Sequence, residues 1–342
     1  MSQKKIAITG ATGFLGSHLL YHLLSSEPEA DIVALHRDTS SIALFQKLGK
    51  HYPGAAAEFD RLRWVEGDLL DVPSLESFLE DADQLYHCAA VVAFAPRQRQ
   101  AMSQINVEGT ANIVNVAMHC GVEKMVHMSS VAALGRSVNR KVINEDFFWE
   151  KSNLNTQYGI SKFQSEQEVW RAIAEGLEAV VFNPGIILGP GDWQEGSCHL
   201  FQWVDQGQTF YPPGSTGWVD VRDVCELAII GMRTSISGER FVTVGANESY
   251  DRVFQLIARG LQCSAPSVQA NAWMQAIAWR WAAVQAFFTG ESPLLTRETA
   301  IVSAQDFHFL PDKSRETFDF NYRSLEDTIQ WTATTYKEEK TA

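Results

Sequence analysis

The stretch that most constrains this chain begins at residue 5. "KIAIT" is a run of β-forming residues, "GATG" breaks it, and "FLGSHLLYHLLSS" carries apolar residues at helical spacing. The alternation then continues. "DIVALHR" and "LRWVEGDL" read as strands, "SLESFLEDA" as a helix, and "QLYHCAAVV" as a further strand. "QINVEGTANIVNVAMHCG" reads as a long helix ending at Gly121, and "KMVHMSS" and "LEAVVFNPG" as strands around a helix carrying Tyr158. Alternating β and α units predict an α/β protein built on a parallel sheet with helices on both faces. After residue 183 the pattern loosens, and "WVDVRDVCELAIIGM" and "GERFVTVG" read as a return to the sheet. The expected division is a nucleotide-binding domain of residues 1–182 plus 218–246 and a smaller substrate-binding domain of 183–217 plus 247–342.

The glycines at 10, 13 and 16 form GxxGxxG, a relative of the dinucleotide fingerprint. Gly10 and Gly13 permit a tight turn and close approach of backbone N–H groups to a pyrophosphate, while Gly16 lets the helix pack closely on the sheet. Thr12, Phe14 and Leu15 fill the turn, and the positive helix end favours the anion. The end of the second strand selects the cofactor: an acid there binds a ribose 2′-hydroxyl, a base accommodates a 2′-phosphate. Here His36 is followed by Arg37, whose guanidinium forks onto a phosphate, so NADP is expected, with NAD the alternative if Arg37 pairs with Asp38. In "GDLLD", Asp68 is placed to accept from an adenine amino group, or to cap its own loop, with Leu69 packing on the ring. Ala89 and Ala90 end the fourth strand where close backbone approach to the cofactor is needed.

Composition narrows the partners. Among 342 residues, 28 Lys and Arg against 41 Asp and Glu give a net charge of −13, which argues against a nucleic-acid partner. The five cysteines are scattered with no metal-ligand spacing and read as reduced thiols; no metal site is expected. "MSQKKIAITG" runs straight into a strand and leaves no room for a secretion signal, so the cytoplasm is the expected location. The apolar segment 270–288 is expected to be a buried or pocket-covering helix rather than a membrane span.

"YGISK" places Tyr158 and Lys162 on one helical face, but "YKEEK" repeats the spacing at Tyr336 and Lys340. Context separates the two. The strand "KMVHMSS" delivers Ser129 and Ser130 to the carboxyl edge of the sheet, where ligands bind in open α/β sheets, and Tyr158 begins the next helix. Tyr336 lies in a charged tail and is expected to be solvated.

Taken with "TGATGFLG", "GDLLD", "HCAAVV", "NVEGTANIV", "MSSVAALG", "NPGIILGPGDW" and "WVDVRDV", in that order, the chain resembles the extended short-chain dehydrogenase/reductase superfamily (the NAD-dependent epimerase/dehydratase superfamily) along almost its whole length. "SPLLTRETA" and "FNYRSLEDTI" are similar to the dihydroflavonol-reductase and 3β-hydroxysteroid-dehydrogenase branch. The resemblance implies a Rossmann-type doubly wound sheet and a homodimer formed through the helices near 100–120 and 155–175. It implies Tyr158 as general acid/base, its pKa pulled down by Lys162 and a bound nicotinamide, Lys162 on the nicotinamide ribose, and Ser130 donating to the substrate carbonyl oxygen. Asn106 in "INVEGT" would hold Lys162 through water, or cap a helix start, and Pro184 and Gly185 would lie against the nicotinamide.

Apolar and aromatic residues, among them Val91, Phe94, Trp193 and Trp218, are expected around Ser130 at the substrate mouth, which suits a hydrophobic carbonyl compound. Asn183 stands where this branch commonly carries arginine and where sugar-nucleotide epimerases carry asparagine to meet a diphosphate; it could equally satisfy a buried backbone group. Arg222 could reach an anionic substrate or pair with Asp220 or Asp223. The expected activity is NADP-dependent reduction of a hydrophobic aldehyde or ketone. An NAD-dependent nucleotide-sugar epimerase or dehydratase, and a non-catalytic NADP-sensing regulator, are the competing readings.

Overall fold

In the computed structural model, which describes residues 3–38, 42–52, 54, 59, 61–289 and 296–341, the alternation builds one large parallel sheet. In chain order the strands of the two larger sheets are β1 Lys5–Thr9, β2 Asp31–His36, β3 Leu62–Glu66, β4 Gln84–His87, β5 Lys124–Met128, β6 Glu178–Pro184, β7 Ile186–Leu188, β8 Ser215–Asp220, β9 Glu239–Thr243 and β10 Ala246–Ser249. The seven-stranded sheet has the order β9-β6-β5-β4-β1-β2-β3, with every pairing parallel. The chain winds outward from β1 through β2 to β3, then crosses back to β4 on the other side of β1. That reversal opens a crevice beyond the carboxyl ends of β1 and β4.

Both faces of the sheet are covered. Alternation along β1 sends Ile6 and Ile8 to one face and Ala7 to the other. On the first face lie α1 (Phe14–Ser26), through Leu19, Leu20 and Leu23, and α5 (Val221–Arg233), through Val224, Leu227 and Ala228. On the second lie α2 (Val72–Leu79), α3 (Gly109–His119) and α4 (Gln157–Ala174), burying Phe78, Ile113, Val114, Val169 and Ala172.

A second unit has its own antiparallel and parallel pairings, in the order β10-β8-β7. Helices α6 (Tyr250–Leu261) and α8 (Leu325–Thr341) enclose a core of Phe201, Trp218, Phe254, Ile257, Ile329 and Tyr336. Here the structure departs from the sequence reading in three places. "WVDV" is a strand, but it pairs in the small sheet; the return to the large sheet is made by α5 and β9. Tyr336 is buried, and its hydroxyl donates to Asp205 at 2.9 Å, beside Lys340, because the last helix packs on the second core instead of trailing into solvent. The segment expected to be buried is α7 (Ala272–Thr289), and Trp273, Ile277 and Trp281, four residues apart, are 63%, 57% and 63% exposed on one stripe. No helix among the described residues is long and apolar enough to cross a membrane.

One buried carboxylate fixes α4 to the sheet. Glu166, 1% exposed, accepts from Ser129 Oγ at 2.7 Å, Asn183 Nδ2 at 2.9 Å and Trp170 Nε1 at 3.1 Å, and pairs with Arg240 of β9 at 3.1 Å. Removing one partner of a buried ion pair strands the other. Glu166→Ala is therefore expected to lower the unfolding free energy by about 3 kcal/mol in urea titration; a loss below about 1 kcal/mol, the scale of a surface pair, would contradict this anchoring.

Candidate active site

The glycine turn sits at the mouth of the crevice. Gly10 has φ +71°, and a Cβ there would come within 2.5 Å of Ala89 N, so the turn is pressed against the end of β4. A Cβ on Gly16 would lie 2.0 Å from Gly10 O, so α1 can leave the turn only with glycine at this position. Gly13 is exposed at the N-cap of α1, no side chain caps the helix, and its first turn has no acidic residue. The first-turn N–H groups are thus left to an anion, a cradle that fits the pyrophosphate of a dinucleotide. Thr12, Phe14 and Leu15 are half-buried around it, Phe14 edge-on to His18 with ring centroids 5.3 Å apart. Ala89 is half-buried and Ala90 exposed beside the turn.

At the end of β2, Arg37 is exposed. Lys47, the other basic residue near this end, is held by Glu339 of α8 at 2.7 Å. Asp68 accepts from Leu70 N at 2.8 Å through Oδ1, so it closes its own loop. Leu69 is buried beneath Gly109, where a Cβ would meet it at 2.9 Å.

Beyond β5 the chain brings the hydroxyls together. Ser130 accepts from Ala132 N at 3.1 Å, capping a short helical turn, Val131–Leu134, and its hydroxyl stands beside the Tyr158 phenol. Tyr158 stands in the first turn of α4, where Thr156 accepts from Gly159 N at 3.0 Å and sets the helix start. The Phe94 ring meets the phenol edge-on, with centroids 5.9 Å apart. Lys162 is 1% exposed and donates to Met128 O at 2.8 Å. Its ammonium, buried among apolar groups, is lowered to about 8, against the opposing fields of Glu166 and Cys88.

Burial raises the Tyr158 pKa, and the Ser130 hydrogen bond and the Arg136 guanidinium oppose that rise. The cation assigned this task from the sequence was Lys162, but Lys162 is directed to the Met128 carbonyl and the Arg136 field reaches the phenol in its place. Asn106 is not the helix-start cap that was its alternative reading. It lies in a wide helical turn, Gln104–Glu108, and clamps Val91 by accepting from its N–H at 2.7 Å and donating to its carbonyl at 3.0 Å. It further donates to Ser161 Oγ at 3.0 Å, and it is neither a helix-start cap nor in direct contact with Lys162.

Three residues expected at the substrate mouth lie elsewhere. Trp218 is 0% exposed and donates to Glu248 O, which leaves no face for a ligand. Asn183, also 0% exposed, donates to Ser130 O and to Glu166, satisfying buried groups within the protein. Trp193 donates to Glu339 at 2.6 Å and lines an open cleft of about 460 Å³ with Lys47, Lys50, Gln202, Tyr336 and Glu339, beside α8. Pro184 is buried, and Gly185 lies so near β8 that a Cβ would come within 2.5 Å of Gly217 O. Arg222 forks onto Asp220, at 3.0 and 2.6 Å, with Asp223 taken by Arg323. The sequence reading missed Glu166, although it continues the stripe Tyr158, Lys162 at the same four-residue spacing, and it missed Arg136, six residues beyond Ser130.

Comparison with known proteins agrees with this geometry. A family model for an NAD-binding domain, described as male sterility protein, matches residues 8–247. Sterol demethylase protein B of Methylococcus capsulatus is 30% identical over 251 residues, 72% of this chain and 72% of that protein. A putative dihydroflavonol 4-reductase of Synechocystis is 27% identical over 335 residues, 95% of this chain and 93% of that one. The crystal structure of dTDP-glucose 4,6-dehydratase from Streptomyces venezuelae, with NAD and TYD bound, shares the fold at a TM-score of 0.75, covering 98% of each chain at 20% identity. The chain belongs to the NAD-binding male sterility protein family, within the extended short-chain dehydrogenase/reductase superfamily, and is an NAD(P)-dependent oxidoreductase of that type.

Proposed function

We propose that the protein reduces a hydrophobic aldehyde or ketone, with Tyr158 giving the proton and NADP as the cofactor. The observation that carries this reading is the gathering of the Ser130 hydroxyl, the Tyr158 phenol and the buried Lys162 at the carboxyl edge of the sheet. When bound, the reduced nicotinamide supplies hydride to the carbonyl carbon.

The residues of the chain do the rest. Gly10, Thr12, Gly13, Phe14, Leu15 and Gly16 hold the pyrophosphate at the uncapped start of α1. Arg37 takes the 2′-phosphate, Asp68 and Leu69 the adenine, Ala89 and Ala90 the backbone approach, and Pro184 and Gly185 border the nicotinamide. Lys162, which donates to the Met128 carbonyl, would hold the nicotinamide ribose. Burial raises the phenol above its ordinary value, so Tyr158 carries its proton at neutral pH and stands ready as an acid. Ser130 positions the carbonyl oxygen against it. Residues of the second unit would supply the remaining wall of the substrate cleft.

The epimerase reading loses its motivating residue, since Asn183 is fully buried and hydrogen-bonded inside the protein. A sensor has no need of a proton donor paired with a hydroxyl. NAD remains the second reading for the cofactor, because Lys47 is committed to Glu339 and Arg37 alone is offered to a 2′-phosphate.

With NADPH and a panel of aromatic aldehydes, followed at the nicotinamide absorbance band, Tyr158→Phe is expected to lower kcat by about 10²–10⁴-fold. A rate within about threefold of wild type would remove Tyr158 from the proton transfer. Arg37→Ala is expected to weaken NADPH binding about tenfold more than NADH binding by fluorescence titration. Equal losses for the two cofactors would remove Arg37 from the 2′-phosphate site.

A further inference from the structure

The chain turns sharply after Ser130. Val131–Leu134 form one short helical turn, Gly135 takes φ +85° against the face of Trp149, and Arg136 is turned back inside the protein. Its backbone N–H donates to Asn155 Oδ1 at 2.8 Å, which fixes the start of the side chain. The side chain then runs to the seam between the large sheet and the second unit. Its guanidinium lies over the Phe307 ring, 5.2 Å from the centroid, with Tyr158 and Tyr250 within its field. Arg136 is 9% exposed, and its Nε is buried with no hydrogen-bond partner.

Among the described residues the guanidinium makes no ion pair. Four other arginines are matched: Arg222 with Asp220, Arg240 with Glu166, Arg323 with Asp223 and Glu226, and Arg99 with Glu298. A buried cation without a counter-ion is costly, and arginine does not escape the cost by deprotonating. The Phe307 face offsets part of it, since a desolvated cation–π contact contributes about 2 kcal/mol. The cofactor's phosphates do not supply the rest, because their cradle is the start of α1 and the end of β2. The missing anion therefore belongs to the substrate.

We propose that Arg136 receives an oxyanion of the substrate, a carboxylate or a phosphate ester, and so selects an anionic carbonyl compound over a neutral one. This deepens the reductase reading and rests on it for the position of the carbonyl at Tyr158. The guanidinium fork matches the planar face of a carboxylate or two oxygens of a phosphate, while the Phe94 and Phe307 rings supply the apolar wall between. The substrate is thus a molecule with an apolar body, a reducible carbonyl and an acid group beyond it.

The test uses two arms. In the first, kcat/KM is measured with NADPH for 4-carboxybenzaldehyde and for its neutral methyl ester. Wild type is expected to favour the acid at least about tenfold, and Arg136→Met to reduce that ratio to near one through KM, with Arg136→Lys in between. A wild-type ratio near one, or equal losses on both substrates, would overturn the proposal. In the second, thermal unfolding is followed with benzoate and with phenyl phosphate, in wild type, Arg136→Met and Tyr158→Phe. Without ligand, Arg136→Met is expected to unfold about 2 °C or more above wild type, because an unpaired buried charge is gone. A lower unfolding temperature would make Arg136 a structural residue and overturn the assignment. One of the two anions is expected to stabilise wild type and Tyr158→Phe but not Arg136→Met, and the stronger one identifies the oxyanion. Stabilisation by neither overturns the proposal. Tyr158→Phe with full turnover and intact anion binding would overturn the proton-donor reading alone.

Discussion

Everything at this site is measured from the Glu166 carboxylate. It is buried at the point where β5, β6 and β9 meet α4, and it takes hydrogen bonds or charge from a residue on each: Ser129, Asn183, Arg240 and Trp170. A buried carboxylate is tolerated only while such donors surround it. The helix therefore cannot slide along the sheet without stranding a charge, and Lys162 and Tyr158, one and two turns earlier, are held at a set depth over the strand ends. Ser129 immediately precedes Ser130 and bonds the same carboxylate. One anchor thus positions both Ser130 and Tyr158.

That arrangement divides the electrostatic work differently from a simple tyrosine–lysine pair. The phenol is buried, so its proton is held more tightly than in water, and a hydroxyl and a guanidinium work against that hold. The lysine lies deeper, donating to a strand carbonyl, with its own charge opposed by burial and supported by Glu166. Of the two cations near this edge, Arg136 acts on the phenol while Lys162 is held at the Met128 carbonyl.

Much of this was legible in the sequence, for physical reasons. Gly10 and Gly16 stand out because no side chain fits where backbone approaches within hydrogen-bonding distance of backbone. Tyr158 and Lys162 stand out because four-residue spacing after a strand that ends in serines leaves few other meanings. Glu166 shares their stripe but reads as an ordinary helix acid, since its partners lie 17, 37 and 74 residues away and only folding brings them together. Tyr336 was misread for the converse reason: its charged neighbours suggested solvent, while the contacts that bury it, Trp193 and Asp205, come from distant segments. Trp218 was assigned to the right strand and the wrong environment, because a strand's pattern does not say which sheet it joins. Arg136 carries no local mark at all; what singles it out is the lack of an ion pair among the described residues after folding.

The account's central claim is that the Ser130–Tyr158 pair faces the reacting carbonyl beside the nicotinamide. A crystal structure with NADPH and 4-carboxybenzaldehyde tests it most directly. The claim predicts the aldehyde oxygen within hydrogen-bonding distance of both Ser130 Oγ and Tyr158 Oη, with the nicotinamide ribose hydrogen-bonded to Lys162. A nicotinamide seated away from Tyr158, or an aldehyde oxygen met by neither hydroxyl, would contradict it.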